Sequence, residues 1–170
     1  INDLPDERAV LIEPFAGGIH AALLAAPIVE GRANPVVAVL GAGTMGLAAI
    51  AGLRRYIPDI RIVVGARYPH QRELALAFGA DVVVTATELD RAVRREVGCH
   101  MLGGGESGAL SSGADVTIDA VGSSRSIADS LRITRPRGRV VLLGMPAHVE
   151  LDLTGLWHRE IDLKGAYTYG

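Results

Sequence analysis

Cysteine is almost absent from this sequence. The 170 residues include one, Cys99, which excludes an internal disulfide and any zinc site built from four cysteines. Because so little cysteine suits a reducing compartment, we expect a cytoplasmic protein.

A strong charge of one sign and long apolar runs are also missing. The formal net charge is −2, which argues against nucleic acid and against a membrane surface as partners. We find no apolar run as long as a membrane span and no basic-plus-apolar leader. The first residue is Ile1 rather than methionine, which indicates a processed or excised piece of a longer protein.

Aromatic residues supply only 4% of the chain, whereas glycine occurs 21 times, which suits close packing of helices on a sheet. From Pro35 onward, short β-branched runs alternate with helical patterns, and Thr87 and Asp90 occupy capping-box positions in one of them. This alternation predicts an α/β fold: a doubly wound, parallel, six-stranded sheet of the Rossmann type with helices on both faces. The predicted strands cover 36–40, 60–64, 81–84, 115–121, 138–144 and 161–167, and the predicted helices cover 45–56, 69–78, 87–97 and 124–134.

A glycine-rich turn follows the first predicted strand directly. Residues 41–46 match the pattern G-x-G-x-x-G and lie between a strand and a helix, which is the context that a dinucleotide site requires. The first glycine permits the tight turn, the second lets the backbone approach a pyrophosphate, and the third lets the helix pack closely on the strand. The free N–H groups at the helix start form an anion site, although a tight turn without a ligand has the same pattern. The predicted cofactor contacts here are Gly41, Gly43, Thr44, Met45 and Gly46.

No acidic residue follows the second predicted strand. NAD sites of this type usually carry an Asp or Glu about twenty residues beyond the glycine motif, where it binds the ribose hydroxyl. Here no acid lies between Ile60 and Gln71, and basic residues take its place. An arginine would pair with the 2′-phosphate that an acid would repel, so we favour NADP over NAD; solvated surface charges are the alternative. The predicted residues are Ala66, Arg67, His70 and Arg72.

Two segments do not follow the strand–helix alternation. Residues 1–35 are predicted to form a crossover segment, with a helical pattern broken by Pro14 and Gly17-Gly18, and 36–170 to form the dinucleotide-binding domain. Residues 98–114 are glycine-rich and weakly patterned, which predicts a mobile surface loop.

Several segments together carry a more specific signal. GADVTIDAVGS (113–123), LRITRPRGRVVLLGMP (131–146) and IDLKGAYTYG (161–170) follow one another, with 4–23 and 76–84 before them, in an order that resembles the medium-chain dehydrogenases. That superfamily includes the zinc-dependent alcohol and sorbitol dehydrogenases. The resemblance covers nearly the whole chain and implies hydride transfer between nicotinamide and an alcohol or carbonyl substrate. It also implies that the GroES-like catalytic domain lies outside this chain, which alone would be inactive. Backbone that lines the nicotinamide pocket in the family corresponds to Ala120, Val121, Gly122, Leu143, Gly144 and Met145.

The resemblance assigns two further roles. Glu13 falls where many zinc-dependent relatives carry a carboxylate at or beside the catalytic zinc, and carboxylate oxygen is a chemically apt ligand; a helix-start residue facing water is the equal alternative.

Residues 148–153 alternate as a half-buried strand would, and the corresponding edge pairs across a twofold axis in family dimers. Since an unpaired edge needs a partner, we predict a homodimer through this segment.

Other functions are compatible with the same residues. A quinone-oxidoreductase-like enzyme would keep the fold and use NADPH without a metal. A nucleotide-binding domain without chemistry would need only the glycine turn. A methyltransferase fits less well, because GRVVLLGMP (138–146) and LKGAY (163–167) do not favour it. A Cys and a His with metal spacing upstream of this chain would decide for zinc.

Overall fold

A parallel sheet of six strands forms the centre of the molecule, in a computed structural model that describes residues 3–102 and 109–170. Parallel strands need crossovers, and helices supply them here. The strands are β1 (Val36–Leu40), β2 (Arg61–Gly65), β3 (Val82–Val84), β4 (Met101–Leu102), β5 (Ala109–Leu110), β6 (Ala114–Asp119), β7 (Thr134–Leu142) and β8 (Asp162–Gly165). The helices are α1 (Asp6–Ala9), α2 (Ile12–Val29), α3 (Thr44–Tyr56), α4 (Pro69–Ala77), α5 (Leu89–Val97), α6 (Ser124–Ile133) and α7 (Thr154–His158).

The strand order of the main sheet is β3-β2-β1-β6-β7-β8, and every neighbouring pair is parallel. The predicted doubly wound α/β fold is therefore confirmed. The chain moves outward from β1 to β3 and then in the other direction from β6 to β8, so the order reverses between β1 and β6. In sheets of this kind, ligands bind at the carboxyl ends of the strands at such a reversal.

Side chains of β1 alternate between two apolar layers, one on each face of the sheet. Val37 and Val39 pack into the layer that contains residues of α2 and α3. Val36, Ala38 and Leu40 pack into the layer that contains residues of α5. All five residues are buried, as expected for a central parallel strand that is covered on both faces.

The predicted interruption of the first long helix is wrong. Helix α2 continues through Pro14 and through Gly17-Gly18. Pro14 lies in the first turn, where a residue has no intrahelical N–H bond to lose. A Cβ on Gly18 would overlap Ala48 of α3, so glycine is needed there for the two helices to approach this closely.

The prediction that the sequence holds no segment of membrane-span length is also wrong. Within the described residues, Asp6–Val29 is long and apolar enough to cross a membrane, by length and composition only. One side of α2 packs into the same apolar layer as α3 and the sheet, while 28% of the span is buried. The buried residues of α2 are Gly17, Gly18, Ala21, Ala22, Ala25 and Val29.

Residues 148–153 do not form the predicted strand. Their alternation is present, because Val149 and Leu151 pack against an apolar cluster that includes residues of α6 and β7. However, β8 occupies the place beside β7, and in the described part of the chain no strand pairs with this segment. The predicted dimer contact through the segment stays a prediction.

The glycine-rich segment 98–114 has more structure at its ends than a mobile loop would. Strands β4 and β5 pair there in an antiparallel ladder, and the N–H of Ser111 donates to the carbonyl oxygen of His100 at 2.8 Å. Residues 103–108, to which the prediction of mobility also applies, lie outside the described residues.

The capping box before α5 lies two residues earlier than predicted. Glu88 Oε2 accepts hydrogen bonds from the hydroxyl and the N–H of Thr85, at 2.6 and 3.3 Å. The predicted pair, Thr87 and Asp90, does not form the box, because a 3-10 turn over Ala86–Glu88 precedes α5 and moves the start of helical structure upstream.

Candidate functional site

The glycine turn connects β1 to α3 at the carboxyl edge of the sheet. Gly41 has a φ of +89°, which favours glycine, and its N–H donates to the carbonyl oxygen of Gly65 at 2.9 Å. A Cβ on Gly46 would overlap the carbonyl oxygen of Gly41. The first and third glycines of the motif thus have the steric roles that the sequence predicts for them.

Gly43 lies next to open space. It is the exposed N-cap of α3, and a Cβ built on it would meet no atom within 4 Å. The first bond of the helix runs from the N–H of Leu47 to the carbonyl oxygen of Gly43, at 2.9 Å. The N–H groups of Thr44, Met45 and Gly46 precede it and have no acceptor within the helix. Because the first turn holds no acid and no side chain caps it, these amides form a site suited to an anion.

Two further loops meet the glycine turn. A Cβ on Gly41 would lie 2.8 Å from Cγ2 of Val121, and one on Gly122 would lie 3.0 Å from the carbonyl carbon of Met145. A Cβ on Gly144 would lie 2.5 Å from the nitrogen of Gly122, which itself has a φ of +81°. These contacts bring the ends of β1, β6 and β7 together around one crevice.

A buried carboxylate holds the loop after β6 in place. Asp119 is fully buried, and its Oδ1 accepts N–H bonds from Val121 at 2.8 Å and Gly122 at 3.0 Å. Its Oδ2 accepts a bond from the hydroxyl of Ser126 at 2.9 Å. The backbone oxygen of Asp119 accepts two more N–H bonds from the loop after β7. The predicted cofactor set omits Asp119, for which the available signal is an acid at the end of a predicted strand and before a turn.

Three of the predicted cofactor residues direct their side chains into the protein. Ala66 and Leu143 are buried in the core cluster. Met45 packs partly against the same cluster, and its Cε would lie 2.9 Å from a Cβ on Gly17 of α2. Ala66 and Leu143 can therefore present only backbone atoms to a ligand in the crevice, whereas the side chain of Met45 is only partly buried.

The basic residues that follow β2 lie beside the glycine turn, because β2 pairs with β1. The guanidinium carbon of Arg67 lies 5.4 Å from the ring centre of Tyr68, and the rings of Tyr68 and His70 stack with centres 5.7 Å apart. Arg72 Nη1 donates to the carbonyl oxygens of Ala66 and Arg67, at 3.4 and 3.1 Å. Arg67 and His70 are thus exposed cationic or polar groups, while Arg72 braces the backbone between them.

The sequence of this crevice region matches a known family. Residues 44–170 match the family described as zinc-binding dehydrogenase. The chain belongs to the zinc-binding dehydrogenase family. The resemblance to the coenzyme-binding domain of these enzymes is thereby confirmed.

Relatives in the zinc-binding dehydrogenase family are longer than this chain. L-threonine 3-dehydrogenase of Anaeromyxobacter dehalogenans is 30% identical over 168 residues, which are 98% of this chain and 44% of that protein. The structure of D-arabinose dehydrogenase from Sulfolobus solfataricus is similar with a TM-score of 0.83 at 25% identity, over 98% of this chain and 49% of that one. A zinc-binding dehydrogenase structure from Sinorhizobium meliloti 1021, bound to NADP, has a TM-score of 0.68 at 26% identity over 92% and 43% of the two chains. The chain therefore spans about 44% of the length of its curated relative.

A complete zinc site is not found among the described residues of this zinc-binding dehydrogenase chain. Residues 3–102 and 109–170 contain no group of three or more His, Cys, Asp or Glu side chains that could hold a metal ion. Glu13 is exposed in the first turn of α2, one turn before Gly17, which lies against Met45 near the start of α3. The predicted zinc ligand is thus an exposed residue at the start of α2, and the residues described here do not fit a zinc ion on their own.

Proposed function

We propose that this chain is the coenzyme-binding part of an NADP-dependent oxidoreductase of the zinc-dependent alcohol dehydrogenase type. The observation that carries the proposal is the uncapped start of α3, which faces the point where the strand order reverses. A dinucleotide pyrophosphate carries two negative charges, and a helix N-terminus behind a glycine turn is the usual place for it in such folds.

The residues of this chain bind and orient the cofactor. The amides of Thr44, Met45 and Gly46 hold the pyrophosphate, and the loops 120–122 and 143–145 line the nicotinamide half of the crevice. The buried bonds of Asp119 fix the first of these loops before the cofactor arrives, which lowers the entropy that binding costs. The bound nicotinamide supplies the hydride chemistry. Residues of the longer protein bind the alcohol or carbonyl substrate.

A calorimetric titration of the purified protein tests the proposal. We expect one NADPH to bind per chain, and NADH to bind more weakly. An absence of heat with both cofactors at millimolar concentration would remove the basis for an oxidoreductase role.

The preference for NADP rests on the charges beside the adenosine half of the crevice. No acid lies between the end of β2 at Gly65 and Gln71, and Arg67 is exposed at the position where such an acid would interact with the ribose. An arginine can form charge-assisted hydrogen bonds with a 2′-phosphate, and Arg72 holds the backbone of Arg67 in place.

We assign Glu13 as one ligand of a zinc ion whose other ligands belong to the longer protein. Carboxylate oxygen is an accepted zinc donor, and Glu13 is exposed in the first turn of α2, where it is free to meet ligands from the longer protein. Metal analysis of the full-length protein and its Glu13→Ala variant should show a lower zinc content in the variant. Equal zinc content and equal turnover would exclude Glu13 from the site, and a zinc-free full-length protein would favour the quinone-oxidoreductase-like alternative.

We propose that the full-length protein is a cytoplasmic homodimer. The segment 148–153 forms no strand, but its Val149 and Leu151 lie against the apolar cluster that includes residues of α6 and β7, at the β8 edge side of the sheet where a second copy could pack. Light scattering should give twice the protomer mass, whereas a monomer at micromolar concentration would contradict this assembly.

A further inference from the structure

A shallow basic cavity that opens widely to solvent lies at the end of α5, and nothing in the dinucleotide crevice accounts for it. Its volume is about 580 Å³, and it is lined by Arg91, Arg94, Arg95, Cys99 and His100. The three arginines stand at positions i, i+3 and i+4 and therefore share one face of the helix. Gly98, with a φ of +64°, ends α5 and turns the chain back, and the N–H of Cys99 donates to the carbonyl oxygen of Arg94 at 3.1 Å.

The cavity lies at the opposite edge of the sheet from the glycine turn. Helix α5 begins after β3 and returns across the sheet, so its last turn lies near the amino ends of the strands. Glu96, in that last turn, pairs with Arg61, the first residue of β2, at 2.8 Å, and Val97 and Cys99 pack against the apolar layer that contains Val36 and Ala114. A phosphate bound in this cavity is therefore not the pyrophosphate of a dinucleotide bound at the start of α3.

The acids nearest to the cavity have other partners. Asp90 Oδ2 lies 3.3 Å from Arg132 Nη1 but 4.0 Å from Arg94 Nη2, so Arg132 is its nearer partner. Glu96 pairs with Arg61 at 2.8 Å. In residues 3–102 and 109–170, no carboxylate forms an ion pair with Arg91 or Arg95.

Among residues 3–102 and 109–170, Glu88 is one more acid close enough to interact electrostatically with Arg91. Hydrogen bonds from the hydroxyl and the N–H of Thr85 lower the pKa of Glu88, and the charge of Arg91 lowers it further. The carboxylate of Glu88 is therefore engaged in the capping box and contributes only a distant charge to Arg91. The described groups leave the cavity with an excess of positive charge.

One buried donor in the cavity wall has no partner. Arg94 Nε is buried and donates to no acceptor among the described residues. Buried donors are nearly always satisfied, and an unsatisfied one that belongs to a charged group is costly. Because Nε is closed to solvent as the side chain stands, an oxyanion in the cavity would accept from it only after the Arg94 side chain turns.

We propose that this cavity binds a small phosphate-bearing anion with at least two negative charges. A guanidinium presents a planar fork of N–H donors that matches a phosphate in a bidentate manner. The three guanidinium groups carry three positive charges, and the single negative charge of Asp90 does not neutralise them. The end of α5 carries the negative pole of the helix dipole, so the side chains and not the backbone must supply the attraction. His100 adds a further donor at the rim.

Titration with inorganic pyrophosphate at constant ionic strength tests this site. In amide nuclear magnetic resonance spectra we expect shifts at residues 91–100, and these shifts are distinct from any at 43–47 that report the dinucleotide site. The Arg91→Gln/Arg95→Gln variant should bind pyrophosphate at 91–100 at least tenfold more weakly, because two of three guanidinium groups are gone. The matched control Arg8→Gln/Arg55→Gln removes the same charge from exposed positions on α1 and α3 and should leave the affinity unchanged.

Three outcomes would overturn the proposal: no shift at 91–100 in the unaltered protein, an equal loss of affinity in both double variants, or citrate binding as tightly as pyrophosphate. The first outcome does not depend on variants that fold. The amides at 91–100 and those at 43–47 are observed separately. An absence of shifts at 91–100 therefore contradicts the phosphate site without affecting the proposed dinucleotide function. An absence of shifts at 43–47 bears on the dinucleotide function and not on the cavity.

Discussion

Replacement of Gly43 by aspartate should strongly weaken NADPH binding without destabilising the protein. Gly43 has an extended backbone conformation at the N-cap of α3, and a Cβ there meets no atom within 4 Å. Aspartate is a slightly better N-cap residue than glycine, so we expect the free energy of unfolding to stay the same or to rise by a few tenths of a kcal/mol. Its carboxylate would occupy the position of the pyrophosphate and would repel the negative charges of that group. We expect the NADPH dissociation constant to rise at least about a hundredfold, which corresponds to a loss of about 2.7 kcal/mol in binding free energy. Calorimetry measures the dissociation constant, and thermal unfolding of the same samples measures the stability.

The variant Gly43→Asn separates charge from bulk. Asparagine has almost the same shape as aspartate and is an equally good N-cap, but it carries no charge. We expect its affinity for NADPH to lie between those of the unaltered protein and the aspartate variant. If Gly43→Asp folds normally and binds NADPH as tightly as the unaltered protein, the pyrophosphate does not lie at the start of α3.

The variant Arg67→Gln should lose most of the preference for NADPH over NADH. A hydrogen bond to a charged group contributes about 1.5–3 kcal/mol, which predicts a loss of roughly tenfold to a hundredfold in NADPH affinity. Affinity for NADH should change little, because NADH lacks the 2′-phosphate. The stability of the protein should also change little, since Arg67 is exposed and its contact is with the exposed ring of Tyr68. Dissociation constants of both cofactors for the two proteins give the comparison.

Arg55→Gln is the matched control for that experiment. Arg55 is also exposed and also lies over a tyrosine ring, with its guanidinium carbon 5.5 Å from the ring centre of Tyr56, but it stands at the far end of α3. It should leave both affinities unchanged. Parallel losses for NADPH and NADH in Arg67→Gln, or a loss of the same size in Arg55→Gln, would show that Arg67 does not select the cofactor through its phosphate.

The fold was predictable because its signals are local and repeated. Each buried strand appears as a β-branched run, and helices are marked by residues such as Pro69 at the first position of α4 and Gly79, with a φ of +104°, just beyond its end. The boundaries were less predictable. The last strand of the sheet ends at Gly165 instead of continuing to Tyr167, because pairing with β7 ends there.

The errors come from places where packing overrides the local pattern. Gly17-Gly18 suggests a break, yet α2 continues because α3 packs against these glycines closely enough to exclude a side chain. Residues 148–153 have the alternation of a strand, but alternation shows only which side chains face the core and not whether a neighbouring strand is present. The bracing role of Asp119 depends on three donors from Val121, Gly122 and Ser126, whose convergence is set by the turn after β6.

The candidate site was predictable in its centre and less so around it. The glycine motif and its strand–helix context predict the anion site, and the structure places the predicted loops 120–122 and 143–145 against it. The sequence does not reveal that Ala66 and Leu143 bury their side chains, because strand-end residues with similar apolar side chains occur in both orientations.

The position of the pyrophosphate in a crystal of the NADPH complex tests the central claim most directly. The account predicts phosphate oxygens within hydrogen-bonding distance of the amides of Thr44, Met45 or Gly46, with the nicotinamide against the loops 120–122 and 143–145. Electron density for the cofactor elsewhere on the protein, with the start of α3 left to water, would contradict it.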